Sequence, residues 1–263
     1  MQPLAEEELT SKRQFHYSHR SQVPPNIQKY WEQRHQIFSK YDEGILLTDN
    51  AWFGITPEFV ANQVAQDVVS LAPSNKTIII DAFAGAGGNT IAFALSGRWE
   101  RVFGIEKDPD VLKCAKRNAE VYGVAKKIFW IEGDCFEVIK ARFKAQGKDA
   151  VIFASPPWGG PDYKADQVFD LNSMEPYGLD DLYMPFSRIT KEIVMYLPRT
   201  SNLNQISKYV PTGEQVHVRH YCMKGASKAL CVFYGNLRPE SSTERCEDGF
   251  PLHQPLPTTG SLT

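Results

Sequence analysis

The spacing of apolar residues changes along the chain. Between residues 77 and 154, short apolar runs alternate with segments in which apolar residues recur every three or four positions. Short continuous runs indicate buried β-strands, and the wider spacing indicates amphipathic helices. The pattern predicts strands at 77–81, 101–106, 127–131 and 150–154, and helices near 89–95, from Asp108 to Gly123 and near 136–143. Strands that alternate with helices predict a parallel sheet with right-handed crossovers.

Two further helices are predicted ahead of this region. Apolar and aromatic residues recur at helical spacing between residues 26 and 38, which indicates an amphipathic helix. The tripeptide Thr56-Pro57-Glu58 has the composition of a helix start. Threonine suits the N-cap, proline the first turn, and glutamate the positive end of the helix dipole.

The C-terminal part of the pattern predicts three more strands. One is expected at 193–197, followed by a short helix near 202–209. Strands at 215–222 and 229–235 are joined by residues 223–228, a link short enough for an antiparallel hairpin. The predicted fold is therefore α/β, with a seven-stranded, mostly parallel sheet closed by an antiparallel hairpin. This is the Rossmann-like layout of class I methyltransferases.

Composition divides the chain into four parts. We expect a polar, flexible N-terminus (1–26), a helical extension (27–72), a Rossmann-like core (73–238) and a flexible tail (239–263). The tail is rich in proline, serine and threonine, a composition typical of segments without a packed core.

Charge and cysteine content narrow the class of protein. The 263 residues carry a net charge of -2, with 42% hydrophobic and 23% charged residues. A broad surface that coats nucleic acid is therefore not expected, although a local basic pocket is compatible with this balance. No apolar run is long enough to span a membrane, and the acidic start lacks the pattern of a signal peptide. The five scattered cysteines lack metal-ligand spacing, so we expect free thiols in a reducing compartment and no metal site.

A glycine-rich loop, residues 81–89, lies where the first predicted strand meets the first helix of the core. This turn binds the ligand in doubly wound sheets, and Gly85 and Gly87 would let the backbone approach it closely. Thr90 stands where the dinucleotide fingerprint requires its third glycine, and the loop has no phosphate-binding lysine. NAD and nucleoside triphosphates are thereby disfavoured. S-adenosylmethionine, which has no phosphate, is the remaining candidate.

Three acidic residues follow three predicted strands and suit that cofactor. Glu106, at the end of the second strand, is expected to accept hydrogen bonds from the ribose hydroxyls. Asp134 is placed to accept from the adenine amino group, and Asp81 to lie near the methionine ammonium. The alternative is that Gly85, Gly87 and Gly88 form a plain tight turn, with Glu106 and Asp108 as a solvated pair.

The segment Ser155-Pro156-Pro157-Trp158 follows the fourth strand. It resembles the Asp/Asn/Ser-Pro-Pro-aromatic motif of methyltransferases that modify exocyclic amines. The Ser155 hydroxyl and the Pro156 carbonyl can accept from the N–H groups of such an amine, and the prolines fix the direction of both acceptors. Trp158 can stack on the base, although a core tryptophan under a loop is the simpler alternative. No general base is assigned, since the methylated nitrogen loses its proton easily.

With its flanking residues, the chain resembles the trimethylguanosine synthases, a family of RNA cap guanosine-N2 methyltransferases. The resemblance covers roughly residues 27–237. It rests on the segments 29–31, 38–45, 52–58, 81–89 and, most specifically, 155–163. Two positions depart from the family's pattern: Glu106 stands where aspartate is expected, and Gly54 where serine is expected.

This resemblance implies a reaction. The family methylates the 2-amino group of 7-methylguanosine caps twice, giving the 2,2,7-trimethyl cap of small nuclear and nucleolar RNAs. It implies that the chain acts in the nucleus, and we expect a monomer that does not associate with membranes. Two rival functions stay open: methylation of an adenine amine in RNA or DNA, and a non-catalytic cap-binding module.

The resemblance also implies site residues. Trp158 would stack on the cationic 7-methylguanine, which a neutral guanine would match less well. Tyr163, Arg199 and Lys228 would meet the cap triphosphate; for the two cations, solvated surface charge is the alternative. The N-terminal helices would form a lid over the cofactor. The remaining cofactor-binding residues expected from the resemblance are Phe53, Thr56, Asn89, Cys135 and Ser155. For Phe53 and Thr56, a plain hydrophobic seam is an equal alternative.

Overall fold

The computed structural model describes residues 15–160, 167–223 and 225–238. It contains one seven-stranded sheet with the strand order β3-β2-β1-β4-β5-β7-β6. The strands are β1 (Ile78–Asp81), β2 (Arg101–Glu106), β3 (Ile128–Glu132), β4 (Ala150–Ala154), β5 (Ile193–Pro198), β6 (His217–Met223) and β7 (Ala226–Phe233). The first five strands are parallel, and β7 runs antiparallel to both of its neighbours. The predicted fold class is confirmed.

Nine α-helices surround this sheet in the described residues. They are α1 (Gln28–Trp31), α2 (Arg34–Ile37), α3 (Ala51–Gly54), α4 (Glu58–Leu71), α5 (Gly88–Leu95), α6 (Pro109–Val121), α7 (Cys135–Arg142), α8 (Leu179–Ser187) and α9 (Leu203–Ser207). Asp108 caps α6 by accepting from the N–H groups of Asp110 and Val111. None of the helices in these residues has the length and apolar content needed to cross a bilayer.

The sheet separates two hydrophobic clusters. One cluster joins β1, β4 and β5 to α4, α5 and the N-terminal segment. This segment packs against the core before the predicted boundary at residue 27, because Tyr17 and Val23 are already buried. The other cluster packs α7 and α8 on the opposite face. Both faces of the central strands are therefore covered, which explains their continuous apolar sequences. Residues 1–14 and the predicted tail, 239–263, lie outside the described residues.

Four local predictions were wrong. The helix expected over residues 26–38 is divided into α1 and α2, because the N–H of Gln33 bonds to the carbonyl of Tyr30, three residues back. Thr56 does not cap α4; Pro57 occupies that position, with no side-chain cap. The Thr56 hydroxyl instead accepts from the Asn89 amide at 3.1 Å.

The other two errors lie in the C-terminal half. The β6–β7 connection is shorter than predicted, since β6 continues to Met223 and β7 begins at Ala226. Residues at this end of the hairpin are exposed or half-buried, so they lack the apolar pattern by which a strand is identified. Helix α8 was not predicted at all. It contains Pro185 in its interior, a residue that normally argues against a helix.

Candidate active site

The glycine loop lies at the carboxyl edge of the sheet, between β1 and α5. Gly87 is the N-cap of α5 with φ +95°, and its missing Cβ would lie 3.3 Å from the side chain of Ile91. Gly85 also has positive φ, +53°, but a Cβ there would meet no atom within 4 Å. The loop is therefore packed tightly against the protein at Gly87 and open at Gly85, which is the shape that a ligand-binding turn requires.

Glu106 connects this loop to β2. One carboxylate oxygen accepts from the N–H of Gly85 at 3.0 Å, and the other accepts from the N–H of Asp108 at 2.9 Å. The longer side chain, at a position where aspartate was expected, thus reaches the loop backbone. Each carboxylate oxygen has further lone pairs, so these bonds orient the group without exhausting its capacity to accept.

Asp134 stands in the corresponding position after β3. It is the N-cap of α7 and accepts from the N–H groups of Phe136 and Glu137 at 2.9 and 3.3 Å. Cys135 begins this helix with its side chain buried in the hydrophobic cluster, and burial raises the pKa of its thiol to about 12. Because the Cys135 side chain faces the core, any contact between this residue and a cofactor would come from its backbone.

Asp81 is completely buried at the end of β1. Its carboxylate accepts from the Thr90 hydroxyl at 2.6 Å and from the N–H of Phe83 at 3.3 Å. Burial raises the pKa of Asp81 to about 7, against these two hydrogen bonds, which lower it. A carboxylate held in such a place is costly unless a positive charge approaches it, and the methionine ammonium of the expected cofactor would supply one.

The lid side of the loop is formed by residues 53–56. The Thr56 side chain holds the amide nitrogen of the buried Asn89, while the amide oxygen of Asn89 has no hydrogen-bond partner in the described structure. A buried acceptor without a partner suits a ligand that carries donors. Phe53 is 48% exposed and makes an edge-to-face contact with the Tyr30 ring, with centroids 5.4 Å apart. Phe53 is therefore available to pack on a ligand in a way that a core residue is not.

The amine-recognition motif begins two residues beyond Phe153, which pairs with Asp81 across β4 and β1. Ser155 is half-buried and Pro156 is buried. Trp158 is half-buried, donates its indole N–H to the carbonyl of Tyr196 at 3.3 Å, and lies 26° from parallel to the Tyr196 ring, with centroids 5.8 Å apart. Trp158 is thus anchored at the rim of both hydrophobic clusters. It is less buried than a core residue, so part of its side chain is available to stack on a base.

The two predicted phosphate-binding cations lie at the same edge. Arg199 directly follows β5, and Lys228 lies on β7 beside Ala229, which pairs with Pro198. Both residues are half-buried. Neither side chain makes a hydrogen bond or ion pair with another residue in the described part of the chain. Tyr163 lies outside the described residues, as does the rest of 161–166.

Sequence reasoning missed Asn118, in the middle of α6. This residue is fully buried. Its amide oxygen accepts from the N–H of Leu46 at 2.7 Å, and its amide nitrogen donates to the carbonyls of Leu46 and Ala86 at 2.9 Å. Asn118 therefore ties the N-terminal segment to the glycine loop. A polar residue among buried helix positions was the available signal, but nothing in the sequence names its partners.

The residues fit S-adenosylmethionine and show no metal centre. Three acids, an open glycine and a buried unpartnered amide oxygen line one edge of the sheet, and they match the amino, ribose and adenine groups of that molecule. Within the described ranges, no three His, Cys, Asp or Glu side chains converge as metal ligands would. Four cysteines there are free thiols: Cys114, Cys135, Cys222 and Cys231.

Comparison with known proteins gives consistent results. A family model described as RNA cap guanine-N2 methyltransferase matches residues 76–237. The trimethylguanosine synthase of Schizosaccharomyces pombe is 36% identical over 213 residues, which are 81% of this chain and 87% of that protein. The Saccharomyces cerevisiae enzyme of the same name is 37% identical over 68% of this chain, although the match spans only 57% of the yeast protein. Among solved structures, the human methyltransferase 10 domain containing protein shares the fold, with a TM-score of 0.53, 13% identity, and coverage of 81% of this chain and 99% of that chain.

Proposed function

Because the chain belongs to the RNA cap guanine-N2 methyltransferase family, we propose that it methylates the 2-amino group of 7-methylguanosine caps, with S-adenosylmethionine as the methyl donor. The product is the 2,2,7-trimethylguanosine cap. One observation carries this proposal beyond family membership: the strand that ends in Ser155-Pro156-Pro157-Trp158 is paired with the strand that ends at the glycine loop. An amine held by the first element would lie next to a methyl donor held by the second.

The chain would hold the donor with the residues of the glycine loop and the three acids. Asp81 faces the amino-acid end, Glu106 accepts from the ribose hydroxyls, and Asp134 accepts from the adenine amino group. Bound S-adenosylmethionine supplies an electrophilic methyl group on a sulfonium, and transfer leaves the electron pair of the broken bond on the sulfur. Asn118 and Thr56 keep the lid against the loop, which excludes water from the methyl group.

The acceptor site orients a weak nucleophile. The lone pair of an exocyclic amine is delocalised into its ring, so the rate depends on alignment. Ser155 and the carbonyl of Pro156 would accept from the two N–H groups and aim the nitrogen at the methyl. Positioning of this kind can supply roughly 7–11 kcal/mol of barrier reduction. The nitrogen releases a proton to solvent after attack, so no side chain is required as a general base.

Trp158 would give the site its preference for 7-methylated caps. 7-methylguanine is a cation, and a cation over an indole face gains roughly 0.5–2 kcal/mol over a neutral ring. Arg199 and Lys228 would bind the triphosphate bridge, since both cations lie at the same edge and their side chains have no partner among the described residues. We further propose that the substrates are small nuclear and nucleolar RNAs and that the chain acts as a monomer in the nucleus.

The decisive experiment is a mass-spectrometric assay with S-adenosylmethionine and two cap dinucleotides, one 7-methylated and one not. We expect mass gains of one and then two methyl groups on the 7-methylated cap alone. Methylation of both caps would remove the charge-selective role of Trp158. If cofactor binds but neither cap reacts, an adenine amine or simple cap binding becomes the better description.

A further inference from the structure

Thr90 makes a contact that the reaction described above does not use. It lies on α5, where the dinucleotide-binding fingerprint would have a glycine, and it is completely buried. Its hydroxyl donates to Oδ2 of Asp81 at 2.6 Å, within the range for a charge-assisted hydroxyl–carboxylate bond. Both members of this pair are inaccessible to water, so no solvent molecule can replace the donor.

The surroundings of Thr90 fix the direction of its hydroxyl. Gly104 on β2 has no side chain, and a Cβ built there would lie 3.1 Å from the Thr90 methyl group and 2.5 Å from the Trp130 ring. The absent side chain leaves room for the methyl group on that side. With the methyl group seated against Gly104, the hydroxyl of the branched side chain is directed to Asp81.

We propose that Thr90 is a positioning residue that keeps the Asp81 carboxylate ionised and oriented towards the ammonium of the methionine part of the cofactor. The inference rests on the proposed function only in that the ligand is S-adenosylmethionine or its demethylated product. It does not depend on which base is methylated.

The surroundings of Asp81 explain why its carboxylate needs a hydrogen-bond donor to stay ionised. The pKa of this carboxyl is raised to about 7: burial and the negative charge of Glu106 raise it, while the Thr90 hydroxyl and the N–H of Phe83 lower it. Near neutral pH, Asp81 thus stands between its neutral and charged forms. Only the charged form attracts an ammonium strongly, so affinity for the amino-acid end should rise with pH until Asp81 is ionised.

The test is calorimetric titration of the full chain with S-adenosylhomocysteine, from mildly acidic to mildly alkaline pH. Thr90→Val keeps the shape of the side chain and removes the hydroxyl. Thr90→Ser restores the donor, and Thr90→Ala provides a second hydroxyl-free variant if the valine does not fold. Thr190→Val is the matched control, because Thr190 is also buried and its hydroxyl lies within hydrogen-bond distance of the Glu192 carboxylate and of the Ala150 carbonyl, at the opposite edge of the sheet.

We expect the midpoint of the affinity–pH curve to move upwards by about one to two pH units in Thr90→Val, because the variant loses a hydrogen bond that stabilises the charged form of Asp81. Thr90→Ser and Thr190→Val should keep the wild-type midpoint. 5′-Methylthioadenosine, which lacks the amino-acid part, should bind without this pH dependence in every variant.

Two results would overturn the inference. One is a Thr90→Val or Thr90→Ala midpoint equal to that of the wild type, and the other is a pH-independent affinity in the wild type itself. Failure of the wild type to bind S-adenosylhomocysteine at any pH would instead contradict the proposed cofactor, so the two failures are distinguishable.

Discussion

The two halves of the carboxyl edge of the sheet differ in how their charges are held. On the β1–β3 side, Asp81, Glu106 and Asp134 each accept two hydrogen bonds from neighbouring protein groups. On the β5–β7 side, the side chains of Arg199 and Lys228 make no hydrogen bond or ion pair within the described residues. The acids are fixed before any ligand binds, and the cations are not.

This difference follows from what each half must bind. A small cofactor gains affinity when its acceptors are already oriented, because little entropy is then lost on binding. The cations would bind a phosphate-bearing substrate, whose oxygens can accept hydrogen bonds from them. Until then the cations remain partly hydrated, and their attraction is weakened by salt. We therefore expect variants of the two halves to separate cofactor affinity from cap affinity.

The largest expected effect is that of Trp158→Ala. Loss of the stacking surface removes both the cation–π attraction and the alignment of the amine, so kcat/KM for the 7-methylated cap should fall by roughly 100-fold or more. Cofactor affinity, measured by calorimetry, should change less than about twofold. A collapse of cofactor binding would mean that Trp158 holds the two halves together and that they are not separate.

Asp81→Asn should have the next largest effect, on the other half. Removal of the buried charge should weaken binding of S-adenosylhomocysteine by roughly 10- to 100-fold, with cap affinity nearly unchanged. Calorimetric titration with each ligand in turn checks both statements. Equal losses for cofactor and cap would contradict the division between the halves.

Asp81→Asn should also change the thermal stability of the ligand-free protein. Burial raises the pKa of Asp81 from 3.8 to about 7 in the fold, so the fold prefers the protonated form. The stability that this preference confers is fully present below the unfolded pKa and is lost as pH rises towards 7. Asp81→Asn should therefore melt at a higher temperature than the wild type at pH above 7, and the difference should shrink on acidification. Thermal melts at several pH values measure this directly.

Arg199→Ala and Lys228→Ala should each raise KM for the capped dinucleotide by about tenfold, because a charge-assisted contact to phosphate is lost. Each variant should also reduce the salt dependence of KM, while cofactor affinity stays constant. Lys208→Ala is the matched control, since this exposed lysine already pairs with Asp180 at 3.0 Å. If Lys208→Ala raises KM equally, the effect is one of general surface charge.

How far the sequence predicts these features depends on the range of the interactions. The order and position of the parallel strands follow from burial on both faces, which leaves long apolar runs. The topology then brings Asp81, Glu106 and Asp134 to one edge. By contrast, the end of the β6–β7 hairpin and α8 lack an apolar pattern or contain a proline, so the local signal was absent or misleading.

The supporting contacts of the site are less predictable for another reason. Asn118 and Leu46 are 72 positions apart, and Trp158 and Tyr196 are 38 apart. Such pairs form only when distant elements pack together, and neither partner has an unusual residue type for its element. The sequence therefore indicates candidate ligand-binding side chains, but not which side chains hold those residues in place.

The smallest expected effect is that of Glu106→Gln, which sharpens the comparison within the cofactor half. The amide keeps one oxygen, which can still accept from the N–H of Gly85, but its nitrogen would face the N–H of Asp108 and can accept nothing. We expect cofactor affinity to fall by about three- to tenfold. Glu106→Asp should retain the charge, but its shorter side chain should not reach the loop. Its cofactor affinity should lie between those of the wild type and the glutamine variant. Calorimetry with adenosine alone, which has the ribose but no amino-acid end, should show the same ranking if Glu106 accepts from the ribose hydroxyls as we propose. If affinity falls for S-adenosylhomocysteine but not for adenosine, Glu106 supports the conformation of the loop and does not accept from the ribose.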